Sequence, residues 1–518
     1  MSHPVAGIPG RHSYRGWLIA AAFGLLALVL GIQENAYPYY YHIDEPTKTD
    51  QIVGGYRNFN HPLLLLVATD AALSLQGTPR TQQAAAVAGR TVSAVFTGLS
   101  GAAMALLASY KRGTLAAVCG GFFLATHWEL FEKAHIFKED PSLVFGLALT
   151  FLALFAYRSR PGLAAALFLG MAAGIATSSK YSGIIALICA LPAPVLFKGS
   201  RGWFAPTATL LGAFLATVAL FNCPVLTSEG FATFRASLVL ETDKAVQGTW
   251  AEKETAFHFG YFKRLLYVGR AHMLPFFAWL LWVLLVVPGR RRWNFRYDDY
   301  LVALFPLLIA AILGFSTKNH GRYFLPGTLT LCYASGLGLA AILQSLAGSS
   351  FRFRKAAIAF LVLLAVAGSL ERLTRYYQGF HGDPRVEMAD FIRSSIPSNA
   401  VIVQGYGVHL PDPHLKLYSD GPVSGFFPQR LISSEKQPAD LGSLDELRAQ
   451  GVTHVAVCGQ NYERYTKSTA SPTPALADRY ARRKRFYKDL FKEGTLVWER
   501  KADRIGTHNP PLKLYDIR

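Results

Sequence analysis

About eleven apolar runs, each near the length of a membrane-spanning helix, occupy the first 372 residues and leave little room for any other architecture. They lie at about 16–32, 88–110, 114–131, 141–157, 162–178, 182–197, 203–222, 268–288, 299–315, 324–346 and 356–372. A spanning helix needs roughly 20 apolar residues, so these runs predict a polytopic, mainly α-helical membrane module. The composition agrees, with 51% hydrophobic and only 16% charged residues and a mean hydropathy of +0.24. That apolar excess excludes an ordinary soluble protein. The net charge of +19 does not imply nucleic acid, because the cations cluster in short segments between the runs.

Those clusters set an orientation. Arg11/Arg15, Lys111/Arg112, Arg158/Arg160, Lys198/Arg201, Arg290/Arg291/Arg292/Arg296 and Arg352/Arg354/Lys355 fall on one side if the count holds. By the positive-inside rule that side is the cytoplasm. The first run reads as a retained anchor, with a cytoplasmic N-terminus. The chain is expected in a cell or inner membrane, with segments 33–87, 132–140, 223–267, 316–323 and everything after Arg372 outside. Within 33–87, HPLLLLVATDAAL is too short to span and reads as an interfacial helix. The five cysteines show no metal-ligand spacing, and three lie in apolar runs, which speaks against a disulfide framework.

Composition changes after residue 372. PRVEMADFIRSSI, SLDELRAQG and DRYARRKRFYKDLF read as helices, and AVIVQGYG, THVAVCG and TLVWERK as strands, by apolar periodicity. Residues 373–518 are thus expected to form a small extracytoplasmic α/β domain behind a catalytic module, 1–372.

Chemistry is expected in the stretch YPYYYHIDEPTKTDQIVGGYRNFNHP, Tyr37 to Pro62. It carries the adjacent carboxylates Asp44 and Glu45, then His61. One reading makes Asp44 the cap of a helix with Pro46 in its first turn. The other makes it a general base, with Glu45 as an orienting partner because neighbouring side chains diverge. Glu139-Asp140-Pro141 repeats the pattern on the same expected face, again as helix cap or as site. External-face cations at span ends are Arg90, Lys138, Lys180, Arg270 and Arg322. Each can be read as a snorkelling interface residue, or the set as a clamp for a lipid phosphate. Lys180 sits between two apolar runs with almost no loop, and Arg322 lies beside Lys318, His320 and Tyr323. His61 could ligate a metal with the carboxylates, although a lone histidine beside a proline is more often structural. No cofactor is required by the pattern, although Asp44 and Asp140 could share a weakly held divalent cation.

Six pieces occur in order: HIDEP (42–46), NHPLL (60–64), AGR (88–90), FKEDP (137–141), GIATSSKYSG (174–183) and GRYFLP (321–326). Together they resemble the GT-C glycosyltransferases, and among them the protein O-mannosyltransferase and aminoarabinose transferase superfamily. The resemblance covers roughly residues 16–350 and departs at Leu63, where that superfamily usually has a second proline. It implies a GT-C fold and a transferase that moves a sugar, hexosyl or pentosyl, from a polyprenyl- or dolichyl-phosphate donor. The acceptor would be a hydroxyl on protein, lipid or polysaccharide at the outer face. Asp44 would be the base, with Glu45 and Asp140 beside it. Arg90, Lys180, Arg322 and Tyr323 would hold the donor phosphate, and His61, Lys138, Glu139 and His320 would support the acceptor or the loops. A single base without a carboxylate nucleophile implies inversion. The alternative is a polytopic transporter or lipid flippase, which would more often show matched repeats; the sequence displays none.

Overall fold

The computed structural model describes residues 12–37, 40–42, 44–198, 202–247, 257, 259–268, 297–315, 321–405, 407–408, 410, 428–433, 437–466, 472, 474–501 and 511–518. The membrane module contains α1 (His12–Ile32), α2 (Glu45–Gly54), α3 (Leu64–Gln76), α4 (Gln82–Arg112), α5 (Thr114–Thr126), α6 (Trp128–Ala134), α7 (Asp140–Ser159) and α8 (Leu163–Ser179). It continues with α9 (Ile184–Ala190), α10 (Ala193–Lys198), α11 (Phe204–Phe221), α12 (Ser228–Gln247), α13 (Gly260–Val268), α14 (Tyr297–Leu313), α15 (Leu325–Ala347) and α16 (Arg354–His381).

Every expected span within the described residues is helical; the 268–288 run lies outside them. Six helices among the described residues are long and apolar enough to cross a membrane. A seventh results if α5 and α6, bent by 55° at their junction, count as one span. Other runs form shorter apolar helices, such as Leu163–Ser179 and Tyr181–Phe197. The interfacial segment becomes α3.

Small residues let these helices approach closely, as packing within a bilayer favours. A Cβ at Gly146 would stand 2.4 Å from the Ala176 backbone where α7 meets α8, and one at Gly336 would strike Gly120 where α15 meets α5. A single apolar core joins α4, α5, α7, α14 and α15, including Leu107, Phe123, Phe151, Phe305 and Leu337.

Helix α16 continues unbroken past residue 372 to His381, because its polar outer turns keep helical geometry after the apolar run ends. Then follow α17 (Pro384–Ser395), β1 (Val401–Gln404), β2 (Arg430–Ser433), α18 (Leu444–Ala449), β3 (His454–Cys458), α19 (Gly459–Thr466), α20 (Ala477–Glu493), β4 (Thr495–Arg500) and β5 (Leu512–Asp516). The strands form one sheet in the order β2-β1-β3-β5-β4. β1 pairs in parallel with β2 and β3, and β5 pairs antiparallel with β3 and β4. Period-two alternation sorts the side chains onto two faces. Ile402, Ala456, Cys458 and Leu514 pack with Met388 and Ile392 of α17, whereas Val403, Val455, Val457 and Tyr515 pack with Tyr487 and Leu490 of α20.

Candidate active site

Two acidic turns meet at one end of the helical bundle. The first is His42–Glu45 at the start of α2; the second is Phe137–Asp140 at the start of α7. Gly89 of α4 makes their approach possible. A Cβ there would lie 2.3 Å from the Phe137 ring, so only glycine admits Phe137 against the helix. The next residue, Arg90, reaches Glu45 of the first turn.

Arg90 and Glu45 are wholly buried. Arg90 donates to Glu45 through Nε at 3.1 Å and Nη2 at 3.0 Å, and to the carbonyls of Asn35 and Tyr37. Glu45 also accepts from the Tyr41 and Phe137 amides at 2.7 and 2.8 Å. The pair therefore ties the first loop to the second. Arg90 stands with its guanidinium spent on protein and not exposed to a lipid headgroup, contrary to its expected place in the phosphate clamp.

Asp44 occupies the N-cap position of α2, yet its side chain makes no capping hydrogen bond. The carboxylate instead faces two cations, Lys138 in direct contact and Arg322 Nη1 at 3.6 Å, while His42 Nδ1 lies 3.7 Å away. The carboxylate remains 35% exposed, so a reactant can reach it. Burial would raise this carboxyl, but the cations Lys138 and Arg322 outweigh it and hold it well below the usual carboxylate range. Lys138 is itself pulled down to about 7 by burial, against the opposing pull of Asp44. Glu139 likewise stands at an N-cap position without capping.

Glu139 contacts Lys48, and His61 Nε2 lies 3.8 Å from its second oxygen. Burial brings Lys48 down to about 8 and pushes His61 well below its ordinary value. Lys48 was not anticipated. Its signal was its place four residues after Asp44 on one helix, a spacing that shares a face. Asp140 accepts from Lys180 Nζ at 2.6 Å. Its other oxygen and Glu139 Oε2 are buried without a hydrogen-bond partner among the described residues.

Lys180 caps the end of α8 in extended conformation, and its ammonium lies over the Tyr323 ring at 4.7 Å. The Arg322 guanidinium lies over the same ring at 5.4 Å. Asp44, Arg322, Tyr323, Lys180 and Asp140 thus form one continuous line of contacts. Four cations, Lys48, Lys138, Lys180 and Arg322, face three carboxylates, Asp44, Glu139 and Asp140. Arg270 and His320 lie outside the described residues. Asp44 and Asp140 each meet a lysine, and no group of three or more His, Cys, Asp or Glu side chains placed to hold a metal occurs among the described residues.

No protein-family model matches the sequence, and no curated protein matches it. Solved structures do. ArnT from Cupriavidus metallidurans, bound to undecaprenyl phosphate, aligns over 96% of this chain and 98% of its own, at 15% identity and a TM-score of 0.51. The oligosaccharyltransferase of Archaeoglobus fulgidus in its apo form aligns over 88% of this chain and 71% of its own, at 13% identity and a TM-score of 0.53. The same archaeal enzyme, AglB, in complex with an inhibitory peptide and a dolichol-phosphate, aligns over 89% and 71%, at 12% identity and a TM-score of 0.52. These likenesses run through both the helical module and the C-terminal unit, and the chain has the polytopic GT-C membrane fold.

Proposed function

We propose that the protein transfers a sugar from a polyprenyl- or dolichyl-phosphate carrier to a hydroxyl-bearing acceptor at the outer face of the membrane, with inversion. The observation that carries this reading is the line from Asp44 through Arg322 and Tyr323 to Lys180. It sets a reachable carboxylate beside two cations that share one aromatic ring. Lys180 and Arg322 would neutralise the charge that develops on the departing lipid phosphate. Asp44 would take the proton of the attacking hydroxyl. One base on the acceptor and no carboxylate nucleophile gives a single displacement. The fold supports a lipid-borne donor, since ArnT and AglB adopt it with undecaprenyl phosphate and dolichol-phosphate bound.

Glu45 and Arg90 build the loop in this scheme, and Asp140 orients Lys180. Glu139, Lys48 and His61 form the neighbouring wall. Because lysines already close Asp44 and Asp140, the proposed chemistry uses no divalent ion, and full turnover after exhaustive chelation is expected. The test is incubation of purified protein in proteoliposomes with radiolabelled undecaprenyl- and dolichyl-phosphate sugars and a membrane extract that supplies hydroxyl acceptors. The expected result is release of free polyprenyl phosphate that is lost in Asp44→Asn. Movement of intact labelled lipid across the bilayer, with the sugar–phosphate bond unbroken, would establish the transporter instead.

A further inference from the structure

The Asp44 main-chain N–H donates to His42 Nδ1 at 3.1 Å. A ring nitrogen that accepts carries no proton, so the neutral imidazole holds its proton on Nε2. The ring is neutral because it is fully buried among charges that mostly oppose protonation. Burial, then Lys138, Arg322 and Lys133, push its pKa well below the ordinary value, against Asp44 alone. Yet Nε2 stands 3.0 Å from Nη1 of Arg322, and a guanidinium has only donors. Two N–H donors therefore face each other with no acceptor between them.

Arg322 is held by the Tyr323 side chain but loosely on its other sides. Its nearest Asp44 oxygen is 3.6 Å away, beyond hydrogen-bonding distance. Its Nε is buried and unpartnered among the described residues. Arg90 is the contrast, with four hydrogen bonds to Glu45, Asn35 and Tyr37. Arg90 is spent on structure, whereas Arg322 keeps donors without an acceptor among the described residues. A single anionic oxygen lying between Nε2 and Nη1 would satisfy both donors.

We propose that the Nε2–H of His42 is a ligand of the donor's phosphate, acting with Arg322 on one shared oxygen. This rests on the reading that the site takes a lipid-linked phosphate. It gives His42 two jobs, one per nitrogen: Nδ1 fixes the turn that carries Asp44, and Nε2 binds the phosphate. The phosphate then approaches the base from the side on which the leaving oxygen must depart.

The two jobs are separable by substitution. His42→Asn keeps an acceptor near Nδ1 and removes the Nε2 donor; His42→Gln keeps a donor near Nε2 and removes the Nδ1 acceptor. Undecaprenyl phosphate is titrated into full-length protein in nanodiscs, with inorganic phosphate as the headgroup-only control. His42→Asn is expected to weaken undecaprenyl phosphate binding about tenfold or more, the scale of a hydrogen bond to a charged group. His42→Gln is expected to bind within about threefold of wild type while melting at lower temperature. His42→Asn binding as wild type does, or both variants losing affinity equally, overturns the inference while wild-type binding preserves the donor reading. Wild type that binds undecaprenyl phosphate no better than inorganic phosphate overturns both.

Discussion

Arg385 donates through Nη1 to the main-chain carbonyl of Tyr40 at 2.6 Å, a bond from the first helix of the C-terminal unit to the loop that carries Asp44. Arg385 is buried and held by both oxygens of Asp383 at 2.9 and 2.6 Å. Just before it, Phe380 meets Tyr41 edge-on and stacks on His135 at 4.1 Å, and His381 pairs with Glu34 at 3.0 Å. The junction between the two units thus grips the chain just before each acidic turn.

Arg385→Gln should therefore act through Asp44 without touching substrate. The expected outcome is a fall in kcat of about tenfold or more, as small misplacements of reacting groups cost, with undecaprenyl phosphate affinity unchanged. Sugar release from labelled donor and a separate binding titration measure the two. An unchanged kcat would confine this contact to holding the domain.

Glu45 and Arg90 give a stability prediction. Removing one member of a buried pair strands the other charge and costs about 3–5 kcal/mol. Arg90→Ala is expected to lose that much in denaturant unfolding, and Glu45→Gln nearly as much. The double change Glu45→Gln with Arg90→Met should recover part of it, because the stranded charge is gone. A variant of Arg90 that folds normally but loses undecaprenyl phosphate would return Arg90 to the phosphate clamp.

Lys180 and Arg322 share the Tyr323 ring, so their substitutions should not be independent. Each alanine variant is expected to weaken undecaprenyl phosphate binding about tenfold or more. The double variant should fall well short of the product, since both cations serve one phosphate. Full additivity would mean the two bind different groups.

The helical bundle was legible because its spans are apolar runs near spanning length, but their number was not, since the 114–131 run bends at His127 and the 182–197 run breaks into short helices. The acidic turns were legible because HIDEP and FKEDP each place carboxylates before a proline between such runs. Their partners were not. Whether Lys138 serves Asp44 or Asp140, and whether Arg90 faces lipid or Glu45, depends on contacts between segments 94 and 45 residues apart in the chain. His42 escaped notice because its meaning lies in which nitrogen accepts, a property of three-dimensional hydrogen bonding. In the C-terminal unit β2 and β5 were missed: RLIS and LKLYD are short and carry cations, so alternation is weak in each. Neither acidic turn uses its carboxylate as a helix cap, although the residue pattern suited one.

The pairing of Asp44 with Lys138 makes the rate depend on pH. Asp44 is held well below the usual carboxylate range, so it stays ionised at any working pH. Its freedom to act as a base is governed by the proton on Lys138, which burial brings to about 7. Below that value the ammonium holds the carboxylate and lowers its basicity. Above it the amine is neutral and the carboxylate is released to the acceptor hydroxyl. The kcat/KM profile should therefore rise with pH, half-complete near about 7, because catalysis requires the deprotonated lysine. Lys138→Arg keeps the charge at every accessible pH and is expected to lose about 10²-fold at the plateau; Lys138→Met should keep turnover and flatten the limb. Asp44→Asn should lose about 10²-fold or more at every pH, the scale of general-base removal, while binding undecaprenyl phosphate within a few-fold of wild type. A flat wild-type profile through neutral pH, together with an active Lys138→Arg, would mean that Lys138 does not govern the base.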